Sequence, residues 1–296
     1  MSITDKTDFK LDFDKLMSGK TPELSHKAYE YISSMLLNKT GIHLEETKKI
    51  MIQSRISRRL RTLNIPDYDA YVHYLDHHPD ELTHCVNALT TNKTDFFREN
   101  DHFDFLKRHF LKETVLKHQA KYHARPIYIW SAACSMGHEV YTLAMILNEF
   151  ITQEPKFDYR ILGTDIDTEV LKTAERGIYN TEILSQIPPA YIPGNLDKGR
   201  DKNKGLFRIS EKLREKIKFK QHNLIDTTAN FSLQFDVIFL RNVLIYFPPN
   251  VIELVINKLA HQLHPKGYLF IGHSETLNGI KHNLHHVGSA VYQKKT

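Results

Sequence analysis

The sequence predicts a doubly wound, Rossmann-like α/β sheet, preceded by a small all-α domain and carrying a small antiparallel β insertion. Three observations carry this. From residue 126 onward, short β-rich runs alternate with amphipathic helical patterns. That order implies parallel strands with helices on both faces. Between residues 22 and about 90 the apolar spacing is helical throughout. Residues 188–219, rich in Pro, Gly and Lys, break the strand–helix rhythm and read as an inserted loop or hairpin.

Taken in order, residues 1–21 are polar and read as a tail; they lack the apolar core of a signal peptide. "HKAYEYISSMLLNKTG" is a helix that Ser25 can cap and Gly41 can end. "LEETKKIMIQSRISRRLRTLN" places Ile52, Ile56, Leu60 and Leu63 on one stripe, with Arg55, Arg58, Arg59 and Arg61 mostly off it. Two short helices follow, broken at Pro79. We draw the helical domain as 22–95, a linker or helix as 96–125, and the α/β domain as 126–296. In the latter, "IYIWSAA", "YRILGTDI", "KIKFKQHNL", "FDVIFLRN", "GYLFIGHSE" and "GSAVYQKK" are strands. "HEVYTLAMILNEF", "DTEVLKTAERG" and "NVIELVINKLAHQL" are helices.

Composition narrows the class. The chain has 296 residues, 41% hydrophobic and 25% charged, an ordinary globular balance. A net charge of +5 favours acidic partners without naming one. Two cysteines, Cys85 and Cys134, point to a reducing compartment with neither a disulfide framework nor a zinc cluster. No run reaches the roughly 18 apolar residues of a membrane span. The expectation is a soluble, cytoplasmic protein without membrane insertion.

Ligands of doubly wound sheets bind beyond the carboxyl ends of the strands. Here those ends read "SAACSMGHE", "GTDIDT", "QHNLID" and "RNVLIYFPP". The first lacks the glycines of a dinucleotide fingerprint and the lysine of a phosphate loop, which excludes both cradles. A nucleoside without a pyrophosphate suits it better, S-adenosylmethionine (SAM) being one. Asp165 can accept from ribose hydroxyls, or Asp165 or Asp167 caps the next helix. Asn223 and Leu224 can hold adenine or form a plain turn. Arg241 can orient a carboxylate or form a salt bridge at its strand end. Arg55, Arg58, Arg59 and Arg61 read either as a solvated face or as a docking surface. The histidine pairs lack metal spacing and read as surface residues.

Five blocks, "LTTNKTDFFREN", "WSAACSMGHEVYTLAM", "GTDIDTEVLKTAERGIY", "FDVIFLRNVLIYF" and "GYLFIGHSETL", occur in the order in which they occur in CheR-type chemotaxis receptor methyltransferases. The resemblance runs from about residue 24 to the end. It implies a SAM-dependent methyltransferase fold and transfer of a methyl group to chemoreceptor glutamates, leaving S-adenosylhomocysteine and requiring no metal. By resemblance, the cofactor contacts are Asn92, Thr94, Arg98, Glu139, Asp165, Asn223, Leu224, Leu240 and Arg241. Arg98, Arg241 and Tyr246 are the catalytic residues. The implied partner is the cytoplasmic helical region of chemoreceptors, met through the arginine helix and the 188–219 insertion. The chain departs from the family at His138, where an acidic residue is common, and at Leu240, where a cysteine is frequent. Its insertion is also Lys-rich. Were His138 to titrate near neutrality, SAM affinity would shift between about pH 6 and 8. Two other readings are a SAM-binding adaptor without turnover and a nucleic-acid methyltransferase. Strand four ends in "RNVLIY", unlike the N/D-P-P-Y/F of base-methylating enzymes, so no nucleic-acid partner is expected. On this reading Arg241→Ala abolishes transfer and largely spares the fold.

Overall fold

The structure, a computed structural model, describes residues 22–226 and 231–295. The expected tail of residues 1–21 lies outside them. The described residues form two compact units: 22–39 with 43–90, and 40–42 with the described part of 91–295. Residues 91–95, drawn with the helical domain from the sequence, thus group with the α/β unit. Thr90 is extended and ends the last helix of the first unit. Hydrogen bonds of Asn92 to Asp167 and Ser135 account for the grouping of the residues just after it.

Among its described residues the helical unit has four α-helices: α1 (His26–Thr40), α2 (Lys49–Leu63), α3 (Tyr68–His77) and α4 (Pro79–Leu89). Ser25 caps α1 by accepting the Ala28 N–H at 3.0 Å. Asp67 caps α3 through the Ala70 N–H at 2.9 Å, and Pro79 occupies the first turn of α4, where no N–H is missed. The α2 stripe buries Ile52, Ile56 and Leu60, while Leu63 is only half-buried. Its arginines do not form one free face. Arg55 donates to the Leu89 and Thr90 carbonyls at 2.9 and 2.6 Å, placing its charge on the negative end of α4. Arg59 grips Glu81 with two bonds of 2.8 and 2.6 Å. Glu81 is buried and also accepts from the Tyr71 hydroxyl at 2.8 Å. Of the four arginines, Arg58 and Arg61 are exposed.

In the α/β unit, α5 (Asn100–Phe105) continues into a π-helical segment, Leu106–Val115, and α6 (Gln119–His123) follows. The segment buries Leu106, Phe110, Leu111 and Val115, a spacing of four and five residues that suits the wider i→i+5 turn. Then come β1 (Ile127–Ala132), α7 (His138–Gln153), β2 (Tyr159–Asp165), α8 (Thr168–Arg176), β3 (Ile178–Asn180), β4 (Leu196–Lys198) and β5 (Leu206–Ile209). The chain continues through α9 (Glu211–Arg214), β6 (Ile217–Gln221), β7 (Phe235–Leu240), α10 (Pro249–Gln262), β8 (Leu263–Ile271), β9 (Leu284–Gly288) and β10 (Val291–Lys294). The main sheet runs β6-β2-β1-β7-β8-β10-β9. The pairs from β6 through β8 are parallel, and β10 is antiparallel to both β8 and β9. Strand β9 covers the "LHHV" stretch, whose histidine pair was read from the sequence as surface; His285 and His286 are exposed within it. The small antiparallel sheet is β3-β5-β4, and its first strand precedes the 188–219 stretch.

Alternate residues of the central strands enter two apolar clusters, as the two-residue strand period requires. Val237 and Phe239 of β7 join one cluster with α7; Ile238 and Leu240 join the other with α10. From β1 the chain proceeds outward to β2 and β6, then returns to β7 on the other side of β1. The switch point therefore lies between β1 and β7, where such sheets open a crevice. The four strand ends singled out from the sequence belong to β1, β2, β6 and β7, which are neighbours in the sheet.

Because Glu81 holds Arg59 and Tyr71 together inside the helical unit, Glu81→Ala is expected to lower its stability by about 3 kcal/mol. Urea unfolding monitored by circular dichroism measures this.

Candidate active site at the switch point

The turn from β1 to α7 is built on left-handed residues: Ala133 (φ 59°), Ser135 (φ 50°) and Gly137 (φ 87°). A Cβ on Gly137 would lie 2.9 Å from the Ala174 Cβ. Its single glycine thus serves the turn and its close approach to α8. Asp165, at the end of β2, ties the turn down. One carboxylate oxygen accepts the Ser135 N–H at 2.8 Å and the other the Asp167 N–H at 2.9 Å. Asp167 in turn caps α8 through the Glu169 and Val170 N–H groups at 2.8 and 3.3 Å. The choice left open by the sequence is resolved, with Asp167 as the cap. Asp165 is buried, and desolvation pushes its carboxyl up to about 6 against the N–H bonds it accepts. With the Ile166 N–H also bonded to it, three N–H groups leave part of the four-lone-pair acceptor capacity of the carboxylate unused. The Cys134 thiol is buried, and that burial pushes its pKa well above the ordinary thiol value, which makes it unreactive.

Arg241, the first residue after β7, sits at the switch point with its side chain 3% exposed. Its Nε donates to Glu139 at 2.6 Å. Its Nη1 donates to the Arg98 carbonyl at 2.8 Å and lies 3.4 Å from a Glu99 oxygen. Glu139 stands in the first turn of α7 and also accepts the Ser131 hydroxyl at 2.7 Å. The Arg241 guanidinium lies over the Phe103 and Phe239 rings, 5.2 and 5.8 Å from their centroids. Arg241 is therefore not a free fork awaiting a carboxylate. Two protein carboxylates balance its charge, and its contacts join the ends of β1 and β7 to the segment around Arg98.

Sequence reasoning missed Glu99 and His102. Burial would raise the Glu99 carboxyl, but the bond from Asn242 and the charge of Arg241 hold it below its usual value. His102 is 1% exposed, with its Nδ1 3.1 Å from Arg241 Nη1 and its Nε2 3.2 Å from the Ser289 carbonyl. A neutral ring protonated on Nε2 satisfies both contacts, and desolvation followed by Arg241 pushes its pKa down to about 4. Glu99, His102 and His273 bring potential ligand atoms within 4.8 Å of one another. The Arg241 guanidinium occupies His102 Nδ1, which opposes a cation there. The readable signal for this pair was the i,i+3 spacing of Glu99 and His102.

The other expected residues are placed as follows. Asn92 donates to Asp167 at 2.7 Å, and its carbonyl accepts from Ser135. The Thr94 carbonyl is 3.0 Å from His138 Nδ1. His138 is 4% exposed and packs on Phe96 and Tyr179, and its Nε2 is buried without a partner among the described residues. Burial lowers its pKa and so favours the neutral ring, whose Nδ1–H donates to the Thr94 carbonyl. Arg98 is half-buried; its Nη1 donates to the Lys93 carbonyl at 3.2 Å, and it forms no ion pair among the described residues. Asn223 accepts the Ile225 N–H at 3.3 Å in a turn that also contains the buried Leu224. Lys258 supports that turn by donating to the Leu224 and Asp226 carbonyls. Tyr246 is half-buried on the single turn Leu244–Tyr246. The Leu240 side chain, expected to meet the cofactor, lies wholly inside the apolar cluster shared with α10.

Comparison with known proteins gives a consistent answer. The family description "CheR methyltransferase, SAM binding domain" matches residues 92–293, and "CheR methyltransferase, all-alpha domain" matches residues 27–90. Chemotaxis protein methyltransferase 2 of Pseudomonas aeruginosa is 38% identical over 89% of this chain and 91% of its own. The chemotaxis protein methyltransferase of Borreliella burgdorferi is 37% identical over 88% and 91%. That of Escherichia coli is 34% identical over 91% of each chain. The site fits SAM on its own terms: Asp165 stands buried at the end of β2 with acceptor capacity for hydroxyls. No helix among the described residues is long and apolar enough to cross a membrane.

Two outcomes follow. Arg241→Ala leaves Glu139 and Glu99 without their countercharge, so beyond any loss of activity it should lower stability by about 3 kcal/mol, read by thermal unfolding. This revises the expectation that the fold is largely spared. SAM affinity should be present above the Asp165 value of about 6 and decline as pH falls through it, because protonation removes acceptors. Calorimetry between about pH 5 and 7 should show the same acid limb in His138→Gln and none in Asp165→Asn.

Proposed function

The chain belongs to the CheR methyltransferase family, and on that premise we propose that it is a cytoplasmic protein-glutamate O-methyltransferase acting on chemoreceptors. The observation that carries the proposal is the charge balance at the switch point. Arg241 is neutralised by Glu139 and Glu99, whereas Arg98 has no acidic partner among the described residues. The site thus has one cation in reserve for an incoming carboxylate.

A glutamate with a pKa near 4.3 is ionised at neutral pH, so the reaction needs no general base. SAM supplies an electrophilic methyl group on a sulfonium sulfur. What the chain must do is hold, align and exclude water. In this reading Asp165 accepts ribose hydroxyls, Asn223 and Leu224 flank the base, and Asn92, Thr94 and Glu139 meet the amino-acid end. Arg98 orients the substrate carboxylate, and the Tyr246 hydroxyl shares that task. Arg241 sets the positions of Glu139 and Arg98. A single cation shared with a tyrosine leaves the carboxylate oxygen more nucleophilic than a bidentate clamp would.

For the receptor, the exposed face of α2 offers Ile50, Arg58 and Arg61 to an acidic helical partner; Ile50 is 83% exposed. The small sheet leaves β3 and β4 as edge strands, which suits strand addition by an extended peptide.

Labelled SAM and receptor cytoplasmic fragments should yield base-labile methyl esters on glutamate. Base-stable products, or SAM binding without transfer to any receptor, would refute the proposal. Arg98→Ala should lower kcat/KM by at least about 10²-fold.

A further inference from the structure

Glu275 follows β8 in the stretch "GHSETL" and is 8% exposed. It forms no ion pair among the described residues. Its carboxylate is instead held by four backbone N–H groups. One oxygen accepts from Asn242 at 2.9 Å and Gly272 at 2.5 Å. The other accepts from Leu244 at 2.7 Å and Ile245 at 3.4 Å. Such a concavity of N–H groups is an anion-binding nest, here filled by the protein's own side chain.

Three of those donors belong to the segment between Arg241 and Tyr246. Asn242 is left-handed (φ 59°) and its side chain donates to Glu99 at 3.1 Å, so it is held between two carboxylates. The fit is close. A Cβ on Gly272 would come within 2.5 Å of the Asn242 side chain and 2.8 Å of a Glu275 oxygen. Burial raises the Glu275 carboxyl, and the four N–H donors counter that rise.

We propose that Glu275 is a positioning residue for methyl transfer, its carboxylate fixing the backbone path that sets Tyr246 relative to Arg241. The inference rests on the function proposed above. Glu275 need not touch substrate or cofactor. An amide cannot replace it, because its NH2 would face two backbone donors where an acceptor is required.

Glu275→Gln tests this, with Glu275→Asp as the variant that keeps the charge. Asp236→Asn serves as the structural control. Asp236 is also buried, but lies at the opposite end of β7, where it pairs with Arg125 and accepts the Tyr128 N–H. Glu275→Gln should lower kcat about 10²-fold while leaving the SAM dissociation constant within about threefold. Amide exchange at Asn242, Leu244, Ile245 and Gly272 should quicken, and Glu275→Asp should recover part of kcat. Asp236→Asn should lose thermal stability but keep its kcat per folded molecule. A Glu275→Gln kcat within about twofold of the unaltered protein overturns the proposal, as does a loss that merely tracks unfolding as in Asp236→Asn. If the unaltered protein forms no methyl ester, the proposed function fails instead. Exchange then decides alone, and unchanged rates at the four amides in Glu275→Gln overturn the positioning role.

Discussion

The buried contact between Arg241 and Glu139 is the constraint from which the rest of the site follows. Removing a guanidinium from water is expensive, and only close acceptors offset it. The 2.6 Å bond to Glu139 and the carbonyl of Arg98 supply them. One acceptor comes from the helix after β1, the other from the segment that precedes α5. A cation at the end of β7 can be buried only if all three are brought together. This couples the turn after β1 to the segment around Arg98.

A second theme is the use of carboxylates as internal ligands for backbone N–H groups. Asp165 secures Ser135 and Asp167, Asp167 secures α8, and Glu275 secures the turn after β7. The non-glycine left-handed residues Ala133, Ser135 and Asn242 occur in these same segments. Such conformations persist only where neighbouring contacts over-determine them. At the far end of β7, Asp236 does equivalent work with Arg125, away from the crevice. His138 adds a variation: a neutral ring, buried on Phe96 and Tyr179, that spends its one donor on the Thr94 carbonyl.

The sequence was legible where one residue's neighbours along the chain decide its role. The helix starts at Ser25 and Asp67 and the Ile52–Ile56–Leu60 stripe are local signals, set by hydrogen-bonding reach and by 3.6-residue periodicity. The strand ends were legible for the same reason, since their polar residues and turn chemistry are contiguous. Strand β9 was not, because "LHHVG" has no alternation and is recruited by its pairing with β10. The arginines of α2 looked equivalent in sequence. Only the chain-distant Glu81 and the end of α4 separate Arg55 and Arg59 from Arg58 and Arg61.

The sequence by itself determined the two-part architecture, the strand ends that carry polar chemistry and a cofactor turn without a phosphate cradle. Periodicity and turn chemistry are written within a few residues of each other. Tertiary structure decided which charges are spent and which are free. Arg241 and Glu139 are 102 residues apart in the chain, and Asn242 and Glu275 are 33 apart. Whether a buried charge has a partner depends on distances in space, which a string of residues does not contain.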